Sequence, residues 1–185
     1  MDIPTRGVFR IVGEEQAFKG ARIDVSRLSV IAPDGSEIER EVVRHPGAVA
    51  IVPVTAAGNV LLVRQFRAAI GRELLEIPAG TRDVEGEPPN ETALRELAEE
   101  VGVRARRIEE LGRFWNSPGF CDEETVVYLA TQLEDCEPAR TGAEEQNIEV
   151  VEVPIDSVDE LLTKDGIVDV QSLVGILLAR TKLAN

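Results

Sequence analysis

The 185-residue sequence predicts an α/β protein of the α+β kind, and three observations support this. Segments with strand periodicity and segments with helix periodicity follow one another along the chain. A composition of 43% hydrophobic and 29% charged residues is enough for the core of one domain of ordinary size. Internal repeats and low-complexity linkers are absent from the sequence. We therefore expect one globular domain with a β-rich N-terminal third.

The first strands are predicted in this N-terminal third. Residues 20–31 alternate between apolar and polar side chains, meet the turn PDGS at 33–36 and continue as EIEREVVR, which predicts an antiparallel hairpin. The apolar runs AVAIVPV (48–54) and VLLVRQF (60–66) flank the turn TAAGN and predict two buried strands.

The remaining segments predict helices and strands in mixed order. A helix is expected from about Pro88 to Val101. Further strands are expected near 107–114, 124–131 and 148–153, and helical segments near 155–163 and 170–181. A soft boundary near residue 45 divides a predicted N-terminal antiparallel β-sheet segment, residues 1–45, from a main domain, residues 46–185.

The charge balance argues against nucleic acid as a partner. With 34 acidic and 20 basic residues the formal net charge is -14, whereas nonspecific nucleic-acid binding requires basic side chains that neutralise phosphates. A phosphate ligand would therefore have to be bound through local arginines and divalent cations.

Location and redox chemistry are also constrained. No apolar run approaches the roughly 18 to 20 residues of a membrane span, and the start MDIPTRGVFR lacks the pattern of a signal peptide. We expect a cytoplasmic protein without a membrane partner.

Cys121 and Cys136 lack CxxC spacing and a nearby histidine, which favours reduced structural thiols.

The stretch RELAEEVG, residues 95–102, concentrates carboxylates on the predicted helix. At about 100° per residue, the apolar side chains of Leu94, Leu97, Ala98 and Val101 share one side. Glu96, Glu99 and Glu100 fall on the opposite side, where they repel each other and two lie at the unfavourable end of the helix dipole. A solvated surface would tolerate such a run, but a divalent cation would relieve both problems.

Mg²⁺ suits this arrangement because it binds oxygen ligands and usually reaches a protein through a few carboxylates plus substrate phosphates. The loop PAGTRDVEGEP before the helix can bring main-chain carbonyls to the same cluster. Arg95 could pair with a loop carboxylate and hold the loop in place. Gly102 suits the left-handed residue that follows a helix.

From Gly80 to Val103 the sequence GTRDVEGEPPNETALRELAEEVGV resembles the Nudix box. The family pattern is G, five residues, E, seven residues, then REUxEExGU with U aliphatic. The matching residues are Glu87, Arg95, Glu96, Leu97, Glu99, Glu100, Gly102 and Val103. Six residues rather than five separate Gly80 from Glu87, which we interpret as a one-residue insertion in the loop. The resemblance implies an α/β/α sandwich with a mixed sheet.

Three further stretches are similar to the ADP-ribose pyrophosphatase branch of this family: REVVRHPGAVAIVPV (40–54), VRQFRAAIGRELLEIPAG (63–80) and NSPGFCDE (116–123). Pro118 stands where that branch has a proline after the box. The resemblance implies hydrolysis of ADP-ribose to AMP and ribose 5-phosphate, with Mg²⁺, or alternatively Mn²⁺, as cofactor.

The same resemblance implies roles for particular residues. It assigns metal binding to Glu96, Glu99, Glu100 and the main-chain oxygen of Ala79. It places Glu99 and Glu100 in the catalytic group, with Glu144 or Glu145 as the base; spacing to Ile148 slightly favours Glu144. Its substrate-binding positions are Arg40, Glu41, Arg67, Gly119 and Phe120. Phe18, Trp115 or the other subunit could stack on the adenine.

Two alternatives remain at this point. The protein could hydrolyse another nucleoside diphosphate derivative, such as a nucleotide sugar, or it could be a module that binds ADP-ribose without cleaving it. The branch is typically dimeric through exchange of the N-terminal sheet, so the resemblance also implies a homodimer.

Overall fold

A computed structural model describes residues 8–140, 145–162 and 166–184. The chain divides into two compact units. The first comprises the chain up to Pro46 together with Trp115–Glu123, and the second comprises Gly47–Phe114 and the chain from Glu124 onward. The sequence pattern did not indicate that Trp115–Glu123 belongs with the N-terminal segment, and the domain boundary near residue 45 stays a prediction.

The first unit contains a three-stranded antiparallel sheet in the order β1-β2-β3, formed by Arg10–Lys19, Asp24–Ile31 and Glu37–Arg44. The predicted hairpin is confirmed, since Asp24 lies opposite Arg44 and Ile31 opposite Glu37. β1 was not predicted, because most of its side chains are exposed and its sequence does not alternate between apolar and polar residues.

The second unit is built on two sheets. Its strands are β4 (Ala48–Pro53), β5 (Asn59–Arg67), β6 (Arg72–Glu76), β7 (Ala79–Thr81), β8 (Val103–Trp115, whose last residue belongs to the first unit), β9 (Glu124–Asp135) and β10 (Glu149–Pro154). One sheet has the order β7-β4-β9-β8, with β4 and β9 parallel, and the other has the order β10-β5-β6. The two apolar runs predicted as buried strands form β4 and β5, which lie in different sheets.

The helices of the second unit are α1 (Pro89–Glu96), α2 (Val158–Leu162) and α3 (Val170–Leu183). β4 is buried along its whole length and separates two apolar clusters. Val49 and Ile51 point to the side of α1, whereas Ala50 and Val52 point to the side of α3, as the two-residue period of a strand requires. Helices on both faces of a mixed sheet confirm the predicted α/β fold.

The predicted helix from Pro88 to Val101 is interrupted. Pro88 is the residue before α1, and the α-helix ends at Glu96; Leu97–Val101 then form a π-helical turn. Gly102 follows with a φ of 76°, which confirms the expected left-handed residue. Glu100 is only 6% exposed, and its carboxylate lies against the main chain of Ala79 in β7. Val101 packs against the apolar cluster that contains Leu97, as the apolar side of the helix predicts. That Glu100 lies opposite this side stays a prediction.

Within the described ranges, no helix combines the length and the apolar character needed to cross a membrane. Cys121 and Cys136 are both free thiols and half-buried.

Candidate active site

Gly80 and Glu96 bring β7 and the helix that bears the glutamates into close contact. Gly80 lies in β7, and an added Cβ would come within 2.1 Å of Glu96 Cδ and 2.3 Å of Glu96 Cγ. Such distances are far shorter than a normal contact of about 3.5 Å. Only a residue without a side chain therefore allows the Glu96 carboxylate to lie over this strand.

Arg95 contacts several carboxylates at once. Its Nε and Nη2 donate to Glu87 Oε1 and Oε2 at 3.3 and 3.2 Å, and its Nη1 donates to Glu96 at 2.7 Å and Glu99 at 3.2 Å. Asp83 lies 3.9 Å from Nη2. The prediction that Arg95 pairs with a loop carboxylate is confirmed by Glu87. The guanidinium thus joins the loop to two of the three predicted metal-binding glutamates.

The electrostatics of this cluster favour an additional cation. Burial raises the pKa of Glu96 to about 7, against the opposing effect of Arg95 and with a further increase from Glu99. Burial by itself would lower the pKa of Arg95, but hydrogen bonding to Glu87 and the nearby glutamate charges raise it. The hydrogen bond from Arg95 lowers the pKa of Glu87. One arginine therefore leaves Glu96 incompletely neutralised.

Glu100 is held differently from the other two glutamates. It is buried in the π turn, and its Oε2 accepts a hydrogen bond of 3.2 Å from the main-chain N–H of Ala79. Its carbonyl oxygen accepts a hydrogen bond of 2.5 Å from Arg140 Nη2, whose other Nη donates to the carbonyl of Ile148 at 2.8 Å. Both the side chain and the main chain of Glu100 are thus fixed from outside the helix.

The donor set fits a hard divalent cation in its chemistry. Three glutamates project from one short segment of helix, and the space over Gly80 is shaped to admit the carboxylate of Glu96. Oxygen donors are the ligands that Mg²⁺ prefers. In the side-chain conformations shown, Glu96 and Glu99 turn to Arg95 and Glu100 to Ala79; no three His, Cys, Asp or Glu side chains in the described part are arranged to hold a metal ion. Metal binding therefore requires Glu96 and Glu99 to reorient.

Arg67, a predicted substrate-binding residue, lies at the end of β5. Its Nε donates a hydrogen bond of 2.8 Å to Oε2 of Glu76, which is almost fully buried. The sequence analysis did not single out Glu76. A charged residue among the apolar neighbours Leu74, Leu75 and Ile77 was the signal that could have identified it.

The other predicted substrate-binding residues belong to the first unit. Arg40 and Glu41 are exposed on β3, where Arg40 Nη1 donates to the carbonyl of Glu39 at 2.7 Å. Gly119 and Phe120 lie in a turn, and the carbonyl of Phe120 accepts a hydrogen bond of 2.7 Å from the N–H of Val43. The roles of these four residues stay predictions.

The candidate bases are only partly placed. Glu145 begins a short 3-10 turn, Glu145–Asn147, and Glu144 lies outside the described residues. Arg140 was missed by the sequence analysis, since a single arginine in a polar stretch has no distinguishing pattern. Its hydrogen bonds to Glu100 and Ile148 became visible only in the fold.

The carboxylate-bearing helix after a glycine-containing loop, packed on one face of a mixed sheet, defines the class of protein. Residues 44–171 match the model of the NUDIX domain, and the chain belongs to the Nudix family.

Individual relatives narrow this assignment. The chain is 38% identical over 175 residues to an ADP-ribose pyrophosphatase of Bacillus subtilis, covering 95% of this chain and 94% of the relative. It is 40% identical to an ADP-ribose pyrophosphatase of Mycobacterium tuberculosis, covering 91% of this chain and 82% of the relative. A crystal structure of an ADP compounds hydrolase superposes with a TM-score of 0.84 at 22% identity, covering 99% and 97% of the two chains, which shows the shared fold.

Proposed function

We propose that this Nudix family member hydrolyses the diphosphate bond of ADP-ribose to give AMP and ribose 5-phosphate, with Mg²⁺, or Mn²⁺ in its place, as cofactor. The main support is the set of Glu96, Glu99 and Glu100 beside the loop, held in place by Arg95, Ala79 and Arg140. Two relatives that cover most of this chain are ADP-ribose pyrophosphatases.

The three glutamates would hold the cation, with the main-chain oxygen of Ala79 as a further ligand. A bound divalent cation neutralises a diphosphate and lowers the pKa of water, which makes a nucleophile available near neutral pH. Arg95 neutralises Glu96 and Glu99 before the cation binds, because its guanidinium contacts both, and the two carboxylates would turn from it to the cation. A carboxylate from Glu144 or Glu145 would accept the proton of the attacking water.

Substrate recognition needs local positive charge in a chain with a net charge of -14. Arg40 and Arg67 would supply it, and Glu41, Gly119 and Phe120 would complete the binding of the nucleoside. Guanidinium groups suit this task because they donate two parallel hydrogen bonds to phosphate oxygens. Phe18 and Trp115, which are 58% and 59% exposed, are available to stack on a base.

The proposed assembly is a cytoplasmic homodimer formed through the N-terminal sheet. β1 and the residues before it expose large apolar side chains: Val8, Phe9, Ile11, Val12 and Phe18. Contiguous exposed apolar side chains of this kind indicate an interaction surface. A monomeric mass by light scattering at micromolar concentration would contradict the dimer.

The function is tested by incubating the protein and Mg²⁺ with ADP-ribose, nucleotide sugars, dinucleotide cofactors and nucleoside triphosphates, and separating the products. We expect AMP and ribose 5-phosphate from ADP-ribose, and a loss of at least about 10²-fold in kcat for Glu100→Gln. Glu91→Gln is the matched control, because Glu91 lies on the same helix but is exposed in its first turn. Preferred turnover of a nucleotide sugar would show that the substrate is a nucleotide sugar and not ADP-ribose. Binding of ADP-ribose without turnover would indicate a binding module.

A further inference from the structure

The Arg67–Glu76 ion pair is asymmetric in its exposure. The side chain of Glu76 is 7% exposed, whereas that of Arg67 is 40% exposed. Only Nε of Arg67 is used, in the hydrogen bond of 2.8 Å to Oε2. Among the described residues, the Nη groups of Arg67 have no hydrogen-bond partner, so four N–H donors remain available at the exposed end of the guanidinium.

A buried carboxylate at this position is costly. Burial raises the pKa of Glu76, and although Arg67 opposes this effect, the nearby charge of Asp169 adds to it. The side chain of Gln65 also lies close enough to the Glu76 carboxylate to lower its pKa. Asp169 Oδ1 is buried without a hydrogen-bond partner within the described ranges. Replacing such a group by an apolar side chain is often neutral or stabilising, so packing alone does not explain a glutamate here.

The pair lies on the face of the β10-β5-β6 sheet that is turned towards α1 and the π turn. Leu61 packs in the same apolar cluster as Ala93 of α1 and Leu97 of the π turn, and Arg67 is six residues along β5 from Leu61. Since side chains alternate along a strand, Leu61 and Arg67 project from the same face. Glu76 lies opposite Val63 in β6 and therefore projects from that face as well.

Glu76 is also close along the chain to Ala79, whose main-chain oxygen is a predicted metal ligand. Ala79 is three positions after Glu76, so their Cα atoms are at most about 11 Å apart. The N–H of Ala79 donates to Glu100. A diphosphate bound at the glutamates would thus lie near the carboxylate of Glu76, which the guanidinium of Arg67 also reaches.

We propose that Glu76 is a positioning residue: its carboxylate holds Nε of Arg67 so that the two Nη groups point to the diphosphate oxygens of the substrate. This inference rests on the proposed function. A buried carboxylate fixes the rotation of the guanidinium, which reduces the entropy lost when Arg67 binds phosphate. Glu76 itself does not contact the substrate.

The experiment compares kcat and KM for ADP-ribose among Arg67→Ala, Glu76→Gln and the double variant. We expect kcat/KM to fall about 10- to 100-fold for Arg67→Ala, and about tenfold for Glu76→Gln, mainly through KM. The double variant should be no worse than Arg67→Ala alone, because Glu76 acts only through Arg67. Calorimetric titration of ADP-ribose in EDTA should show the same order of affinities.

Arg64→Gln is the matched control. Arg64 lies on the same strand, projects from the opposite face and pairs with the exposed Glu149 at 3.0 Å. Its replacement should change kcat/KM by less than about twofold, since exposed ion pairs contribute little. Arg67→Lys keeps the charge but lacks a guanidinium, and it should lose nearly as much as Arg67→Ala.

Additive losses in the double variant, or a Glu76→Gln variant as active as Arg64→Gln, would overturn the positioning role. If Glu76→Gln does not fold, the test is Arg67→Lys. A kcat/KM of Arg67→Lys equal to that of the wild type would then overturn the positioning role. A wild-type protein that hydrolyses a different diphosphate refutes the proposed substrate, and the same variants are then compared on that compound. No turnover of any diphosphate would refute both proposals.

Discussion

Replacing Gly80 with alanine perturbs one glutamate of the site without changing any predicted ligand. Gly80 does not have a positive φ, so its backbone conformation is open to alanine. The new Cβ would meet Glu96 Cδ at 2.1 Å and Glu96 Oε1 at 2.3 Å. A normal contact needs about 3.5 Å, so the Glu96 side chain would have to move by more than about 1 Å.

The displacement should affect catalysis more than stability. A misplacement of about 1 Å at a catalytic site costs about 10²-fold in rate, equivalent to about 2.7 kcal/mol in the activation free energy. Overpacking typically costs about 1–3 kcal/mol of the free energy of unfolding. A glycine-to-alanine change also lowers the conformational entropy of the unfolded chain, which offsets about 0.4–1 kcal/mol of this loss of stability. Glu96 is part of a surface-accessible site and can relax outward, so we expect the lower end of this stability range.

The assay measures kcat for ADP-ribose and the Mg²⁺ concentration that gives half-maximal rate, together with urea denaturation of the same samples. Gly112→Ala is the control, because its Cβ would meet only Leu178 Cδ1 at an ordinary 3.5 Å. We expect Gly80→Ala to lose about 10²-fold in kcat or to need much more Mg²⁺, with Gly112→Ala close to wild type. Wild-type kinetics in Gly80→Ala would refute the idea that the position of Glu96 over β7 matters.

Three further predictions concern stability. Gly102→Ala should lower the free energy of unfolding by about 1–2 kcal/mol in urea titrations, because its φ of 76° is left-handed and the Cβ would lie 3.1 Å from the carbonyl of Cys136; an unchanged midpoint would contradict this. Arg95→Met should lower the free energy of unfolding in EDTA by about 1–3 kcal/mol, because Glu96 and Glu99 lose the positive charge that pairs with them. In thermal melts, added Mg²⁺ should raise the Tm of this variant more than that of the wild type. The pKa of Glu76 is raised by burial above 4.5, so the native state binds more protons and this group's contribution to stability falls as pH rises above about 4.5. The stability of Glu76→Gln relative to wild type should therefore increase between pH about 4 and about 8 in urea titrations, and a constant difference would contradict the assignment.

Local patterns predicted most of the elements because each leaves a periodic signal in the sequence. The hairpin of β2 and β3, the buried strands β4 and β5, and the helix α3 all lie close to their predicted positions. β1 was missed because its exposed side chains do not alternate, and the short strands β6 and β7 because three to five residues are too few for a period to be recognised.

The site was predictable where its residues are close in sequence. Glu87, Arg95, Glu96, Glu99 and Glu100 lie within one loop and one helix, so their spacing predicts that they meet. The π turn was not predictable, since its difference from an α-helix is one extra residue per turn that apolar spacing does not reveal. The burial of Glu100 was not predictable either, because it lies against Ala79 of another element, β7.

By itself, the sequence determined the class of fold, the acidic helix that suits a divalent cation, and the loop carboxylate that pairs with Arg95. These features depend on neighbours a few residues apart, whose geometry is fixed by the helix and by local turns. Only the tertiary structure decided that Ala79 and Arg140 hold Glu100, and that Glu76 holds Arg67. Each of these contacts joins different elements, and their meeting depends on sheet register and on the packing of the helix against the sheet.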